Sequence, residues 1–262
     1  MSPGVKKLSR RLKSKRRALL RDYNDEDLHK LRITLRRIRS ILKQHTDDEA
    51  RRLRRELGRM ADATNDARDW DTFYSRIRKT LDKKQFRRIQ PLVADRRSRS
   101  HRRVRRMLCS KKWSRAARGW HQYARDADSA THHPSRERLE PGRGEQQLAG
   151  VARLALSQDD DKSWHKLRIA VKELRYQLES AAEDSPRSRA MLLQCQQLQA
   201  DLGDWHDTVV HQGLLQALTA DLDPDTDNDA FELLTKLSHD VEQEGTAILA
   251  RVRATLRENL ST

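Results

Sequence analysis

Apolar residues recur every three or four positions along most of the chain, a spacing that predicts amphipathic α-helices. The clearest example is a row formed by Leu28, Leu31, Leu35, Ile38 and Leu42. Nine glycines and six prolines in 262 residues leave few turns for a many-stranded sheet. The pattern therefore predicts an all-α fold.

The predicted helices fall into two groups separated by a segment with two prolines and two glycines. The first group comprises Val5–Arg21, Asp25–His45, Asp48–Asn65, Asp69–Lys79, Lys83–Leu108 and Trp113–Ala124. The second comprises Glu145–Leu156, Lys162–Ala182, Ser188–Leu202, Trp205–Ala220 and Asp229–Leu260. We therefore expect one domain over residues 1–262, made of a first helical half (1–125), a linker (126–144) and a second half (145–262).

One helical pattern occurs twice, as LHKLRITLRRIRSIL from Leu28 to Leu42 and as WHKLRIAVKELRYQL from Trp164 to Leu178. The copies share cations as well as apolar residues. The matched cations are His29 with His165, Lys30 with Lys166, Arg32 with Arg168, Arg36 with Lys172, and Arg39 with Arg175; Lys43 extends the first row. Most of these cations lie about 100° around the helix from the apolar row. An internal duplication is expected, with the same charged surface on both halves.

A row of like charges needs a physical reason. Like charges three or four residues apart on a helix destabilise it by about 0.2–0.5 kcal/mol per pair, so such a row normally faces an anion or acidic neighbours. A solvated basic face is the alternative interpretation, and we retain it for the other basic runs of the first half. The repetition of the histidine in register favours a binding surface for the two matched rows.

The charge of the chain is unevenly distributed. The formal net charge is +16 and the pI is about 10.3, which predicts an anionic partner. Residues 1–150 hold 43 Lys and Arg against 19 Asp and Glu, a net charge of +24, whereas residues 151–262 carry a net charge of −8. Because the second half is acidic and still keeps its row of cations, a general basic bias does not explain that row.

Each repeated helix is followed about thirty residues later by a short acidic segment. These segments are DARDWDTF, from Asp66 to Phe73, and LGDWHDTVV, from Leu202 to Val210. Paired motifs in this order resemble the CHAD family, the conserved histidine α-helical domain, over nearly the whole chain. The resemblance implies two pseudo-twofold-related helical bundles around a basic central groove or channel. It also implies binding of inorganic polyphosphate, which we expect to be clamped between the two basic helix faces.

The chemistry of polyphosphate suits a row of cations, because arginine offers phosphate oxygens a two-pronged donor and lysine a flexible point charge. The predicted polyphosphate-binding residues are His29, Lys30, Arg32, Arg36, Arg39, Lys43, His165, Lys166, Arg168, Lys172 and Arg175. Four aspartates of the acidic segments are expected to orient these cations: Asp66 and Asp69, with their counterparts Asp204 and Asp207. We predict no cofactor and no metal ion.

Two other functions compete with polyphosphate binding. A polyphosphate or triphosphate hydrolase would need carboxylates that hold metal ions, or a nucleophile with its base, and the sequence presents no such set. Non-specific nucleic-acid binding follows from the basic pI. However, the five tryptophans lie at apolar helical positions, which predicts packing in a core rather than base stacking. A purely structural helical adaptor would leave the repeated cations unexplained.

Two further features bear on the location of the protein. The sequence has no apolar run long enough for a membrane span or for a secretory signal. The two cysteines are too few for a disulfide scaffold, which favours a reducing compartment. We therefore expect a cytoplasmic protein associated with polyphosphate granules.

Overall fold

The structure is a computed structural model that describes residues 3–129, 143–180 and 185–261. These residues form ten helices and no strand, which confirms the all-α prediction. The helices are α1 (Pro3–Arg21), α2 (Asp25–Lys43), α3 (Asp48–Asp62), α4 (Asn65–Thr80), α5 (Lys83–Cys109), α6 (Lys111–Ser129), α7 (Arg143–Gln158), α8 (Asp161–Ser180), α9 (Pro186–Thr219) and α10 (Asn228–Ser261). The chain divides into two compact units, Met1–Glu137 and Arg138–Thr262.

Polar side chains fix where several helices begin. The side chain of Asn24 accepts hydrogen bonds from the first backbone N–H groups of α2, and Asp47 does the same for α3. A capping box starts α5, with Asp82 as the cap. Ser185 caps α9 and is followed by Pro186, a residue favoured in the first helical turn. These caps satisfy N–H groups that have no partner inside a helix.

The predicted linker, residues 126–144, is too wide at both ends. Helix α6 continues to Ser129, and α7 begins at Arg143. Residues 130–142 of that linker lie outside the described residues, as does Ala182, the predicted end of the second motif helix. The prediction ended the helices where apolar residues stopped, whereas a helix propagates through polar residues once its packed turns have formed.

Helix α9 corrects a second prediction. The sequence predicted two helices, Ser188–Leu202 and Trp205–Ala220, separated around Gly203. The structure has one helix of 34 residues. Glycine inside a helix is less favourable than alanine by about 1 kcal/mol, which is not enough to end a helix that is packed on both sides. Leu202 and Trp205, which flank Gly203, are both buried.

In the first unit, the apolar row of α2 forms the centre of the core. Leu28, Leu31, Leu35, Ile38 and Leu42 are at most 1% exposed. They belong to one cluster with apolar residues of α1, α3, α5 and α6, which are Leu12, Leu19, Leu53, Leu57, Val104, Leu108, Trp113 and Trp120 among others. Burial of this row fixes the rotation of α2, and so fixes the direction in which its cations point.

The second unit packs in the same manner around α8. Trp164, Leu167, Val171 and Leu174 are buried in the register of the α2 row. Their partners come from α7, α9 and α10, and include Ala152, Ala155, Leu198, Leu202, Trp205, Ile248, Val252 and Leu256. All five tryptophans of the chain are at most 5% exposed, which confirms that they pack in cores.

A buried carboxylate joins α4 to α5 and to the connection between α1 and α2. The side chain of Asp71 has no exposed surface. It accepts hydrogen bonds from Tyr23 Oη at 2.8 Å and from Arg97 Nε and Nη2 at 3.0 and 2.9 Å, and it lies 2.9 Å from His101 Nε2. The Tyr23 ring stacks on His101 with centroids 3.5 Å apart. This cluster holds α4 in a defined position beside α2.

The Asp71 cluster makes stability depend on pH. Burial alone would raise the pKa of Asp71, but hydrogen bonds from His101, Tyr23 and Arg97 outweigh it and lower the pKa. A lowered carboxyl pKa contributes stability above the unfolded value, near 4, and that stability is lost as the pH falls through the folded value. At pH 7, Asp71→Asn should lower the free energy of unfolding by about 3 kcal/mol, because it leaves charged partners uncompensated.

This difference should shrink below about pH 4, which urea unfolding of both proteins across the acid range would measure. Asp95→Asn is the matched control, since Asp95 is an exposed carboxylate of α5 that pairs with exposed Arg99. Its effect should stay within about 0.5 kcal/mol. A difference between the native protein and the Asp71→Asn variant that is constant with pH would contradict the assignment.

The continuity of α9 is testable at its glycine. A Cβ at Gly203 meets no atom within 4 Å. Gly203→Ala should therefore stabilise the protein by about 0.5–1 kcal/mol, through helix propensity. In contrast, Gly245→Ala should destabilise it, because a Cβ there lies 2.7 Å from Thr208 Oγ1. Urea unfolding of the two variants measures both effects, and a helix broken at Gly203 would give no gain there.

Candidate anion-binding faces of α2 and α8

The structure places the predicted cations beside the buried rows of α2 and α8. We use the name first stripe for His29, Lys30, Arg32, Arg36, Arg39 and Lys43 on α2, and second stripe for His165, Lys166, Arg168, Lys172 and Arg175 on α8. The arginines nearest the cores are half-buried, whereas Arg36, Lys43, His165 and Lys166 are exposed. Each stripe therefore has an inner row against the protein and an outer row at the surface.

Arg32 holds the junction between α3 and α4. Its Nη1 donates to Thr64 Oγ1 and Asn65 Oδ1, both at 2.7 Å, and to the carbonyl oxygen of Ala61 at 3.3 Å. Burial lowers the pKa of Arg32, an effect that the charge of nearby Asp69 opposes. The guanidinium of an arginine nevertheless stays protonated at neutral pH. Arg32 therefore uses one terminal nitrogen to connect three helices, and ligand contact by this residue stays a prediction.

Arg39 lies flat against α3 where a glycine makes room. A Cβ at Gly58 would lie 3.5 Å from Cζ, Nε and Nη2 of Arg39. The Nε atom of Arg39 is buried and, among the described residues, donates to no acceptor. A buried N–H group without an acceptor destabilises a protein by about 1–3 kcal/mol, so an anion beside Arg39 would be favourable.

Arg175, the counterpart of Arg39, shows the same feature. Its Nε atom is buried and has no hydrogen-bond acceptor in the part of the chain that is described. The guanidinium lies over the ring of Tyr176, 4.6 Å from the centroid, and Nη1 is 3.6 Å from Glu179. The two matched arginines therefore each keep a buried donor that no described residue satisfies.

Arg68 of α4 joins the first stripe, although the sequence analysis did not place it there. The pKa of His29 is lowered, first by burial and then by the positive charge of Arg68. The charge of Arg68 also lowers the pKa of Arg32. The signal that could have found Arg68 is its place in the acidic segment, two residues after Asp66.

His206 of α9 joins the second stripe and occupies the position that matches Arg68. Its ring centroid is 5.6 Å from that of His165. Burial lowers the pKa of His206 to about 4, with further contributions from Arg168, His165 and Lys172. His206 is therefore neutral at neutral pH. Only the aspartates of this segment were predicted as site residues, although His206 stands at the position of Arg68 when the two acidic segments are aligned.

The predicted orienting aspartates behave differently from one another. Asp69 acts electrostatically on Arg32. Asp66 instead accepts a hydrogen bond from Arg103 Nη1 of α5, at 2.9 Å, which lies outside the first stripe. Asp204 and Asp207 are exposed on α9.

Lys30 has an acidic neighbour on its own helix, since its Nζ lies 3.0 Å from Glu26 Oε1.

Another basic surface lies between α3 and α6. A shallow groove of about 460 Å³ is lined by Arg52, Arg115, Arg118 and His121, among others. Arg52 is already paired there, with Glu49 at 2.6 Å and Glu56 at 3.5 Å. This groove is therefore partly neutralised by acidic groups of α3.

Across residues 3–129, 143–180 and 185–261, no three His, Cys, Asp or Glu side chains come together in a way that could hold a metal ion. Over the same residues, no helix combines the length and the apolar character needed to cross a membrane.

Comparison with known proteins places this architecture in a family. The family model of the CHAD domain matches residues 5–216, a range that includes both motif helices and both acidic segments. The chain belongs to the CHAD domain family. Among solved structures, it is similar to the CHAD domain from the plant Ricinus communis, with 23% sequence identity and a TM-score of 0.63 over 97% of this chain and 89% of that one. That likeness supports the fold. The search of curated proteins found no match.

The different roles of the arginines on α2 predict different effects on stability. Arg32→Ala should lower the free energy of unfolding by about 1–2 kcal/mol, because acceptors at the junction of α3 and α4 lose their donor. Exposed Arg36→Ala should change it by less than about 0.5 kcal/mol. Urea unfolding of the two variants measures the contrast. Equal effects would mean that Arg32 does not hold the junction.

Proposed function

We propose that this protein binds inorganic polyphosphate through the first and second stripes, without converting it chemically. Membership of the CHAD family suggests the ligand. The observation that carries the proposal is the matched pair Arg39 and Arg175, whose buried Nε atoms find no acceptor among the described residues. We place this activity in the cytoplasm, at the surface of polyphosphate granules.

The shape of each stripe suits a linear polyanion. From His29 to Lys43 the first stripe extends about 21 Å along α2, at 1.5 Å per residue. A chain of phosphates lying along it would meet a cation at each turn of the helix. Half-buried arginines contribute directed hydrogen bonds to phosphate oxygens, and exposed lysines contribute long-range attraction.

Nucleic acid is the competing ligand, and the buried tryptophans argue against it as the preferred one. Proteins that bind single strands commonly stack bases on exposed aromatic rings, but each tryptophan here is packed in a core. One exposed aromatic ring, that of Tyr176, lies under Arg175 beside the second stripe. Binding of nucleic acid would otherwise depend on charge. Polyphosphate presents more charge per unit length than a single nucleic-acid strand, so a row of cations should favour it over single strands when salt screens weaker contacts.

A competition titration tests the proposal. Labelled long-chain polyphosphate would be displaced by polyphosphate, single-stranded DNA or duplex DNA, each matched in phosphate content, near physiological salt. The test variant combines Arg36→Glu with Lys172→Glu, one change in each stripe, and avoids Arg32 because of its part in the fold. Polyphosphate affinity should fall by about tenfold or more, equivalent to about 1.4 kcal/mol.

The control reverses the same number of charges on helices that carry neither stripe, by combining Arg118→Glu with Lys236→Glu. Both residues are exposed, on α6 and α10 respectively. The polyphosphate affinity of this control should fall by less than about threefold, because charges more than about 8 Å from the ligand are largely screened at physiological salt. If both double variants lost the same polyphosphate affinity, or if nucleic acid competed as well as polyphosphate, the protein would be a general polyanion binder and the proposal would be wrong.

A further inference from the structure

The two stripes differ in the charge chemistry of one matched position. In the first unit Arg68 stands beside the first stripe, and an arginine is charged at any physiological pH. In the second unit the corresponding residue is His206, which can be neutral or charged. The question is what controls the protonation of His206.

His206 lies on the side of α9 that faces α8. From α8, the titratable and charged groups that act on it are His165, Arg168 and Lys172. The His165 ring centroid is 5.6 Å away, and the tilted ring of Trp205 is 6.5 Å away. The groups that face His206 from α8 are therefore cationic or neutral.

Other titratable groups lie on α9 itself and on the other helices that pack against it. On α9 itself, Asp204 and Asp207 lie close in sequence, but both are exposed. Helix α10, which packs on α9, brings Arg251 to within 4.0 Å of Asp201. Helix α7 brings Glu145 to within 2.8 Å of Arg187, which lies 19 residues before His206 and so about five turns away along α9. Asp201 projects about 140° around α9 from His206, at 100° per residue. A half-buried imidazole is thus held next to cations, which disfavours its own charge.

A bound phosphate chain would reverse this balance. Phosphate oxygens beside Arg168 and Lys172 would bring negative charge next to His206, and an opposite charge within about 4–6 Å favours the charged form of a titratable group. The imidazolium could then donate a hydrogen bond to a phosphate oxygen, a stronger interaction than a neutral ring offers.

We propose that the second stripe is a proton-linked anion site, in which His206 takes up a proton as polyphosphate binds, while Arg68 gives the matched position of the first stripe a permanent charge. This inference rests on the proposed function. It makes the second stripe hold polyphosphate more tightly as the pH falls, through His206.

The direction of the effect follows from linkage. The free protein has a His206 pKa of about 4, and the complex has a higher one. Affinity should therefore rise as the pH falls from the pKa of the complex towards about 4, and should level off below that value. Within this range a single linked proton changes affinity by up to about tenfold per pH unit.

Calorimetric titration with long-chain polyphosphate at constant ionic strength, between pH 5 and pH 8, tests the inference. Two buffers with different ionisation enthalpies would count the protons taken up. The variants are His206→Arg, which copies the first unit, and His206→Gln, which is neutral. The control is His239→Gln, an exposed histidine of α10. Urea unfolding would establish that each variant is folded.

We expect native protein and the His239→Gln control to take up protons on binding and to bind more tightly at pH 5 than at pH 8. The His206→Arg variant should take up fewer protons and should bind polyphosphate several-fold more tightly than the native protein at pH 8. Its affinity should also vary less with pH. His206→Gln should bind more weakly than native at pH 5 and equally at pH 8.

Two results would overturn the inference. If native and His206→Arg proteins bind polyphosphate with the same pH dependence and the same proton uptake, the proton is taken up elsewhere and the proposed function stands alone. If native protein shows no preference for polyphosphate over nucleic acid at any pH, the proposed function fails together with the inference. Should His206→Gln fail to fold, the His206→Arg variant and the two-buffer comparison on native protein still decide.

Discussion

The apolar row of each motif helix must be buried, whereas its cationic row must stay accessible to an anion. The two rows lie only about 100° apart around the same helix axis. Burial of Leu31, Leu35 and Ile38 pins α2 into the first core, and burial of Leu167 and Val171 pins α8 into the second. Pinning each helix also fixes the position of its like charges, which cannot relax away from one another by rotation of the helix. The helix packing therefore stabilises an arrangement that electrostatics alone disfavours.

The two units accommodate their inner arginines with different helix geometries. In the first unit, the break between α3 and α4 presents the Ala61 carbonyl and the side chains of Thr64 and Asn65 to Arg32. In the second unit, α9 passes through the matching region without a break. A continuous helix bonds its carbonyls internally, so it does not present the same acceptors. Related motif helices are thus supported by different partners, and the charge at the position of Arg68 or His206 differs as well.

Periodicity was sufficient to predict the helices, the core faces of α2 and α8, and the edge on which the cations lie. Periodicity could not show that Arg32 donates hydrogen bonds to the α3–α4 junction, because these contacts join residues about thirty positions apart. The same limit applies to Asp71, whose partners Tyr23 and His101 come from distant segments. The continuity of α9 was missed, since one predicted helix ended at Leu202 and the next began at Trp205. Packing around Leu202 and Trp205 outweighs the low helix propensity of Gly203 between them. Arg68 and His206 became visible as neighbours of the stripes only through tertiary structure.

The buried tryptophans make the intrinsic fluorescence of the protein selective in what it reports. Trp70, Trp113 and Trp120 lie in the first unit, and Trp164 and Trp205 in the second. Their emission will follow the entry of water into either core during unfolding. A ligand that binds to the cationic surfaces does not admit water to those cores. A change in tryptophan emission on adding a polyanion would therefore indicate rearrangement of a core rather than surface contact alone. Trp205 differs from the other tryptophans because its buried ring lies next to His206. Its emission can therefore respond to the charge of that imidazole.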